Sequence, residues 1–152
     1  MTRKSLVLLA LAGSALSLAG AFFFQHVMGI LPCELCILQR YPHAAMLAIG
    51  LLALMVPTRW LPRLGAATAL VSLTLAVYHS GVERKLWSGP ADCTGGQDLS
   101  GLSGADLLST DFTIGTIMCD QISFSILGLS FANMNVILSL ALLGIWIAAA
   151  RR

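Results

Sequence analysis

Four stretches of this chain carry no charged residue at all: 5–33, 41–58, 64–82 and 121–150. Nothing else in the sequence restricts the fold so strongly. A helix needs about 20 apolar residues, with a range of roughly 17–25, to cross the hydrocarbon core of a bilayer. Each stretch is long enough to supply one crossing. A backbone in lipid must satisfy its own hydrogen bonds, so the crossings are helical. The sequence predicts spans near 6–25, 40–56, 64–80 and 129–149 in one domain, 1–152. The fold class is all-α: a polytopic membrane bundle of four helices. Only 11% of the residues are charged, against about 25% in a soluble domain. The net charge of +2 gives no footprint for nucleic acid, so no nucleic-acid partner is expected. Small residues (Gly13, Ser14, Ser17, Gly20, Ala66, Ala67, Ala69, Ser72) allow close helix packing.

Charge placement orients the bundle. Arg3, Lys4, Arg59, Arg63, Arg151 and Arg152 fall on one side of four crossings. Arg40, Arg84, Lys85 and every acidic residue fall on the other. Basic residues concentrate on the cytoplasmic side. Both termini are therefore expected in the cytoplasm, with 26–39 and 81–128 outside. The first apolar run has a rival reading as a signal peptide, but it continues through Phe22, Phe23 and Phe24. That is longer than the 7–15 residues of a signal core.

All four cysteines, Cys33, Cys36, Cys93 and Cys119, belong to the predicted outer segments. If the inner side is bacterial cytoplasm, the outer side is the periplasm, where disulfides persist. The bland reading is a pair of structural disulfides. The sharp one is a redox relay. Cys33 and Cys36 close a very small ring, the usual form of a catalytic pair, whereas a staple gains more from a long loop. Cys93 and Cys119 enclose residues 94–118 and suit either role. Zinc is a third reading, but structural zinc sites usually take two close pairs, so no metal is expected.

The start of the second span adds a cation. Cys33 and Cys36 lie near a helix N-terminus, where the dipole favours a thiolate. Arg40 follows Cys36 by one turn and shares its face. A cation just inside the interface is costly unless it snorkels or has a use. Beside a dithiol it can stabilise a thiolate or an anion forming on an electron acceptor. Electrons leaving a dithiol at a membrane surface need a destination, and a lipid-soluble quinone is the natural one. No haem or flavin motif competes for the role.

The run FQHVMGILPCELCILQR, residues 24–40, resembles the DsbB family of bacterial disulfide-bond formation proteins. So do YHSGVE at the end of span three, the cysteine-bearing second loop, and MCDQISFSILGLSF leading into span four. The resemblance covers nearly the whole chain. It implies a quinone-dependent protein-thiol oxidase of the bacterial inner membrane with its active loops in the periplasm. Such a protein reoxidises a periplasmic thioredoxin-fold oxidase of the DsbA type and hands the electrons to the quinone pool, ubiquinone or menaquinone. By the same resemblance Cys33 and Cys36 are the quinone-coupled pair, with Cys36 the thiolate at the quinone. Arg40 and His79 are its cofactor-binding residues. Cys93 meets the partner, and Cys119 exchanges with Cys33. Gln39 departs from the pattern, since some relatives carry an acidic residue there. Proteins of the vitamin K epoxide reductase type share the bundle and the quinone, but their Cys-X-X-Cys follows the loop cysteines, and here it precedes them.

His79 alone reads as an interface histidine, and only the resemblance lifts it to the site. His26 and His43 are expected to flank the interface, and Trp60, Trp87, Tyr41 and Tyr78 to anchor it. The glycine-rich run GPADCTGGQDLSGLSG suits a loop that must bring its cysteine to a partner. The segment 105–118 reads equally as a short surface helix or as extended loop.

Overall fold

The structure is a computed structural model that describes residues 1–90, 93 and 118–152. The possible surface helix at 105–118 lies outside the described residues, Met118 excepted. Four long helices account for most of the rest: α1 (Arg3–His26), α2 (Glu34–Met55), α3 (Trp60–Glu83) and α4 (Phe131–Ala150). All four are long and apolar enough to cross a membrane, and only 22% to 33% of each span is buried inside the protein. Leu8, Leu16, Leu51, Leu70, Val71, Ile137 and Leu140 point outward. So much exposed apolar surface suits lipid and not water.

The helices form a closed ring, with α1 on α2, α2 on α3, α3 on α4 and α4 back on α1. Two apolar clusters hold its ends. The first joins Val7, Ala10, Met46, Leu61, Ala69, Leu142 and Trp146, at the end where the chain termini lie. The second gathers Cys33, Leu35, Val82, Cys93 and Cys119 at the opposite end, with Cys36 and Tyr78 against it. Small residues permit the close approach between helices. A Cβ on Gly65 would stand 2.5 Å from the fully buried Trp146 ring, and one on Gly50 would stand 2.6 Å from Leu11 Cδ2. Ala69 and Ser72 are fully buried, as their size suggests.

α1, α2 and α3 each begin ahead of their charge-free stretch, because interfacial residues can start a helix whose middle lies in lipid. The extension matters most in α2. Cys33 is its N-cap, and the sulfur accepts from the Cys36 backbone N–H at 3.1 Å. Cys36 is therefore helical, with Gln39 and Arg40 one turn further on, and none of them is part of a loop. Pro42 sits inside α2 and withholds one backbone donor. Before α4 the chain makes a hairpin that hydropathy does not announce. Its strands β1 (Ser125–Ile126) and β2 (Leu129–Ser130) pair antiparallel, Ser125 with Ser130 and Ile126 with Leu129. Leu127 and Gly128 both take positive φ, 52° and 80°, as a two-residue primed turn demands. Ser130 then caps α4, accepting from Asn133 N–H at 3.2 Å.

Gly65 and Gly144 separate helix propensity from packing. Gly65→Ala should lower stability by about 1–3 kcal/mol, the usual cost of overpacking. A methyl group added at Gly144 would meet nothing within 4 Å, so Gly144→Ala should be neutral or slightly stabilising. Thermal unfolding of the purified protein in detergent checks both.

Candidate functional site

The site lies at the cysteine end of the bundle. Cys93 and Cys119 are joined as a disulfide with Cα atoms 5.3 Å apart, within the usual range for such a bond. The Cys119 N–H also donates to the Cys93 carbonyl at 2.6 Å. Cys33 and Cys36 are free thiols. Two cysteine pairs far apart in sequence thus meet: Cys33, Cys93 and Cys119 are buried together with Val82 and Leu35, and the partly buried Cys36 packs against them.

The segment leading to Cys93 is strapped to the end of α3. Trp87 Nε1 donates to the Tyr78 carbonyl at 2.9 Å, and the two rings stack at 6.3 Å. The Tyr78 hydroxyl donates to the Ser88 carbonyl at 3.1 Å. Gly81 makes room for this strap, since a Cβ there would stand 2.0 Å from the Trp87 ring. Tyr78 and Trp87 therefore act in tertiary packing. Tyr41 and Trp60 are exposed, 67% and 58%, as interface anchors would be.

Beside the Cys36 sulfur, Cys33 Sγ is met by two nitrogen groups. One is the Cys36 backbone N–H. The other is His79 Nε2 at 3.4 Å, on a ring only 2% exposed. The side-chain hydrogen bond with Cys36 is the main influence that pushes the Cys33 thiol up, followed by burial. A dithiol so placed gives up one proton far more readily than two. Cys33 Sγ, Cys36 Sγ and His79 Nε2 lie within 4.8 Å of one another. Among the described residues these are the three donors that meet here; a structural zinc site takes four.

Arg40 lies one turn beyond Cys36. Its Nη1 donates to Gln25 Oε1 at 2.6 Å, and its guanidinium sits 5.0 Å from the centre of the Phe22 ring. Its Nε–H is buried without a protein partner. Arg40 also lines a cavity of about 290 Å³, which Cys36, Gln39, His43, His79 and Asn135 line with it. Phe24, Phe131 and Leu138 make apolar walls, and Leu16, 73% exposed, carries the cavity to the outer surface of the bundle. Ligand sites are typically apolar hollows with a few convergent polar groups, from about 300 Å³ upward. The cavity thus combines apolar walls with a few polar groups at one side. The Arg40 Nε–H, without an acceptor among the described residues, could donate to a carbonyl oxygen there.

Arg40, His79 and Cys36 therefore come together around one space, with Cys33 buried against His79 and Cys36 and packed with Cys93 and Cys119. Reasoning from the sequence missed three other residues. His43 does not flank an interface: it is 2% exposed, and its Nε2 meets Asn135 Oδ1 at 2.9 Å. Gln39 bridges His79 and Asn135, although its position in the sequence suggested no role. Asn135, the third, joins Gln39 to His43. The signal present in the sequence was helical spacing, for Gln39 and His43 are one turn apart on α2, and Asn135 and Ser139 one turn apart on α4. His26 is at the end of α1, stacked on Phe22 at 6.1 Å.

A bundle of membrane-crossing helices that holds a Cys-X-X-Cys dithiol against a disulfide defines a class, the membrane thiol–disulfide proteins. Comparison with known proteins identifies the family within it. The family model of disulfide bond formation protein DsbB matches residues 3–149. Disulfide bond formation protein B of Verminephrobacter eiseniae is 34% identical, over 97% of this chain and 84% of its own length. The protein of the same name from Stutzerimonas stutzeri is 28% identical, over 94% and 93%. The uncharacterized protein RP370 of Rickettsia prowazekii is 29% identical, over 92% and 83%. No solved structure matches. The chain belongs to the DsbB family; it is a disulfide-forming oxidoreductase with four membrane-crossing helices.

Burial separates the two free thiols. Cys33 is 2% exposed, whereas Cys36 lines the cavity. In the protein with both thiols reduced, a small alkylating reagent should modify Cys36 several-fold faster than Cys33, as peptide mass spectrometry would show.

Proposed function

We propose that this protein reoxidises a periplasmic DsbA-type dithiol oxidase and passes the electrons to a membrane quinone, ubiquinone or menaquinone. Its site faces the periplasm from a bacterial inner membrane. One observation carries the reading. The four cysteines pack into one cluster, three buried and Cys36 partly buried at its edge, and an apolar cavity with a cationic donor begins at Cys36.

The sulfur chemistry follows from exchange between neighbours. A partner thiolate attacks Cys93 and displaces Cys119 as a thiolate. Cys119 attacks Cys33 of the oxidised Cys33–Cys36 pair and releases Cys36 as a thiolate into the cavity. The partner's second thiol then forms the partner disulfide and frees Cys93. To restore the Cys93–Cys119 bond, Cys93 must displace Cys33 from Cys119. Cys33 finally closes on Cys36, and one electron pair leaves the two sulfurs. The quinone, when bound, supplies the two-electron acceptor. The balance is one partner dithiol and one quinone in, one partner disulfide and one quinol out. The two protons of the quinol replace the two that the partner thiols give up.

The residues of the cavity wall divide the remaining work. Arg40 is held by Gln25 and the Phe22 face, which leaves its buried Nε–H for the acceptor oxygen and a fixed positive charge beside the Cys36 thiolate. Phe24, Phe131 and Leu138 keep water from the reacting sulfur. Excluding water strengthens the electrostatic help that Arg40 supplies.

The test is turnover of purified protein in detergent with a reduced DsbA-type partner and ubiquinone-1, followed by quinone absorbance. Wild type should turn over. Cys36→Ser and Cys93→Ser should abolish turnover. Arg40→Ala should raise KM for quinone roughly ten-fold or more, since a hydrogen bond from a charged donor contributes ~1.5–3 kcal/mol. No turnover with any quinone, and no oxidation of the partner, would sink the reading.

A further inference from the structure

Behind Cys33 a line of polar side chains crosses the bundle from helix to helix. His79 Nε2 is 3.4 Å from Cys33 Sγ. The other ring nitrogen, His79 Nδ1, is 2.7 Å from Gln39 Nε2. Gln39 Oε1 accepts from Asn135 Nδ2. Asn135 Oδ1 meets His43 Nε2 at 2.9 Å and accepts from the Ser139 hydroxyl at 3.3 Å. Each nitrogen or oxygen faces a complementary atom, so one choice of direction orders the whole line.

Two observations fix that direction. His43 Nδ1 is buried without a partner among the described residues. If His43 donates through Nε2, the orphan is a lone pair; in the reverse direction it is an N–H. Unpaired buried N–H groups are the rarer and costlier case. At the other end, a Glu83 oxygen lies 3.9 Å from His79 Nε2, and a carboxylate there favours a proton on that nitrogen. Both ends order the donors the same way: His43 to Asn135, Asn135 to Gln39, Gln39 to His79, and His79 to Cys33.

We propose that Gln39 is a positioning residue: its amide N–H, oriented by Asn135, holds His79 in the tautomer that carries its proton on Nε2, so that the ring donates to Cys33 Sγ. Cys33 then receives two donors, the Cys36 backbone N–H and the His79 ring. That is what a sulfur requires if it is to depart as a thiolate and then attack Cys36. The inference rests on the reading of Cys33 and Cys36 as the redox pair. The charged and titratable groups facing this pair are Cys36 and Arg40 on α2 and His79 and Glu83 on α3. The segment before the hairpin contributes Cys119, held in its disulfide, and α4 contributes the neutral Asn135.

Gln39→Glu isolates the effect. It keeps the shape and still accepts from Asn135, but a carboxylate cannot donate to Nδ1. His79 must then place its proton on Nδ1 and turn a bare Nε2 to Cys33. The measurement is ¹⁵N NMR of the histidine rings in mildly alkaline buffer, with His79→Ala to assign the signal and neither quinone nor partner present. Wild type should show the Nε2–H tautomer and Gln39→Glu the Nδ1–H tautomer. Gln39→Leu, which adds no charge, should give a mixture. In a Cys36→Ser background, ultraviolet titration of the Cys33 thiolate should move up by about one pH unit or more with Gln39→Glu, and by less with Gln39→Leu. An Nδ1–H tautomer in wild type, or a tautomer unchanged by both substitutions, would overturn the proposal. Because these readouts need no turnover, they separate its failure from failure of the quinone-linked reading.

Discussion

The cap on α2 is the contact from which the site is built. When Cys33 Sγ accepts the Cys36 N–H, it starts the helix at the first thiol. The second thiol, the amide of Gln39, the guanidinium of Arg40 and the ring of His43 then follow at helical spacing toward the bundle interior. A helix beginning later would leave Cys36 in a loop and turn Arg40 away from the cavity. The same bond places Cys33 at the rim, within reach of the Cys93–Cys119 disulfide. One capping interaction therefore sets the distance from the loop sulfurs to the cavity.

Most polar groups across the middle of the bundle satisfy one another. Leaving a buried donor or acceptor unmade costs about 1–3 kcal/mol, and lipid offers no substitute. Ser72 and Ser139 meet at 2.9 Å, and Ser72 lies 3.5 Å from His43 Nε2, so the line behind Cys33 continues into the middle of the bundle. The apolar cluster around Trp146 begins beyond it. The division is physical: the end with the dithiol is held by directional hydrogen bonds, and the opposite end by packing of small residues against large ones.

The hydropathy of the chain made the four crossings legible, because each is a property of about twenty consecutive residues. The gathering of the cysteines at one end was legible too, since an antiparallel bundle sends alternate connections to the same side. Arg40 could be seen from its spacing to Cys36. His43, Gln39 and Asn135 could not. A polar residue within a span reads the same whether it faces an interface, a cavity or a neighbour, and their partners lie on other helices, as Asn135 does for His43 and Gln39. The hairpin at Ser125–Ser130 escaped notice because two-residue strands have no period to detect.

The sequence by itself determined the class of fold, the end of the bundle that carries the sulfur chemistry, and the helix turn that holds Arg40. Those follow from local composition and the geometry of one helix. Tertiary structure alone decided that His79 faces Cys33, that Gln39 lies behind it, and that a cavity begins at Cys36. The reason is that a hydrogen bond between helices depends on their rotation and depth. These are set by contacts such as Gly65 against Trp146 and Gly50 against Leu11, far along the chain from the atoms they align.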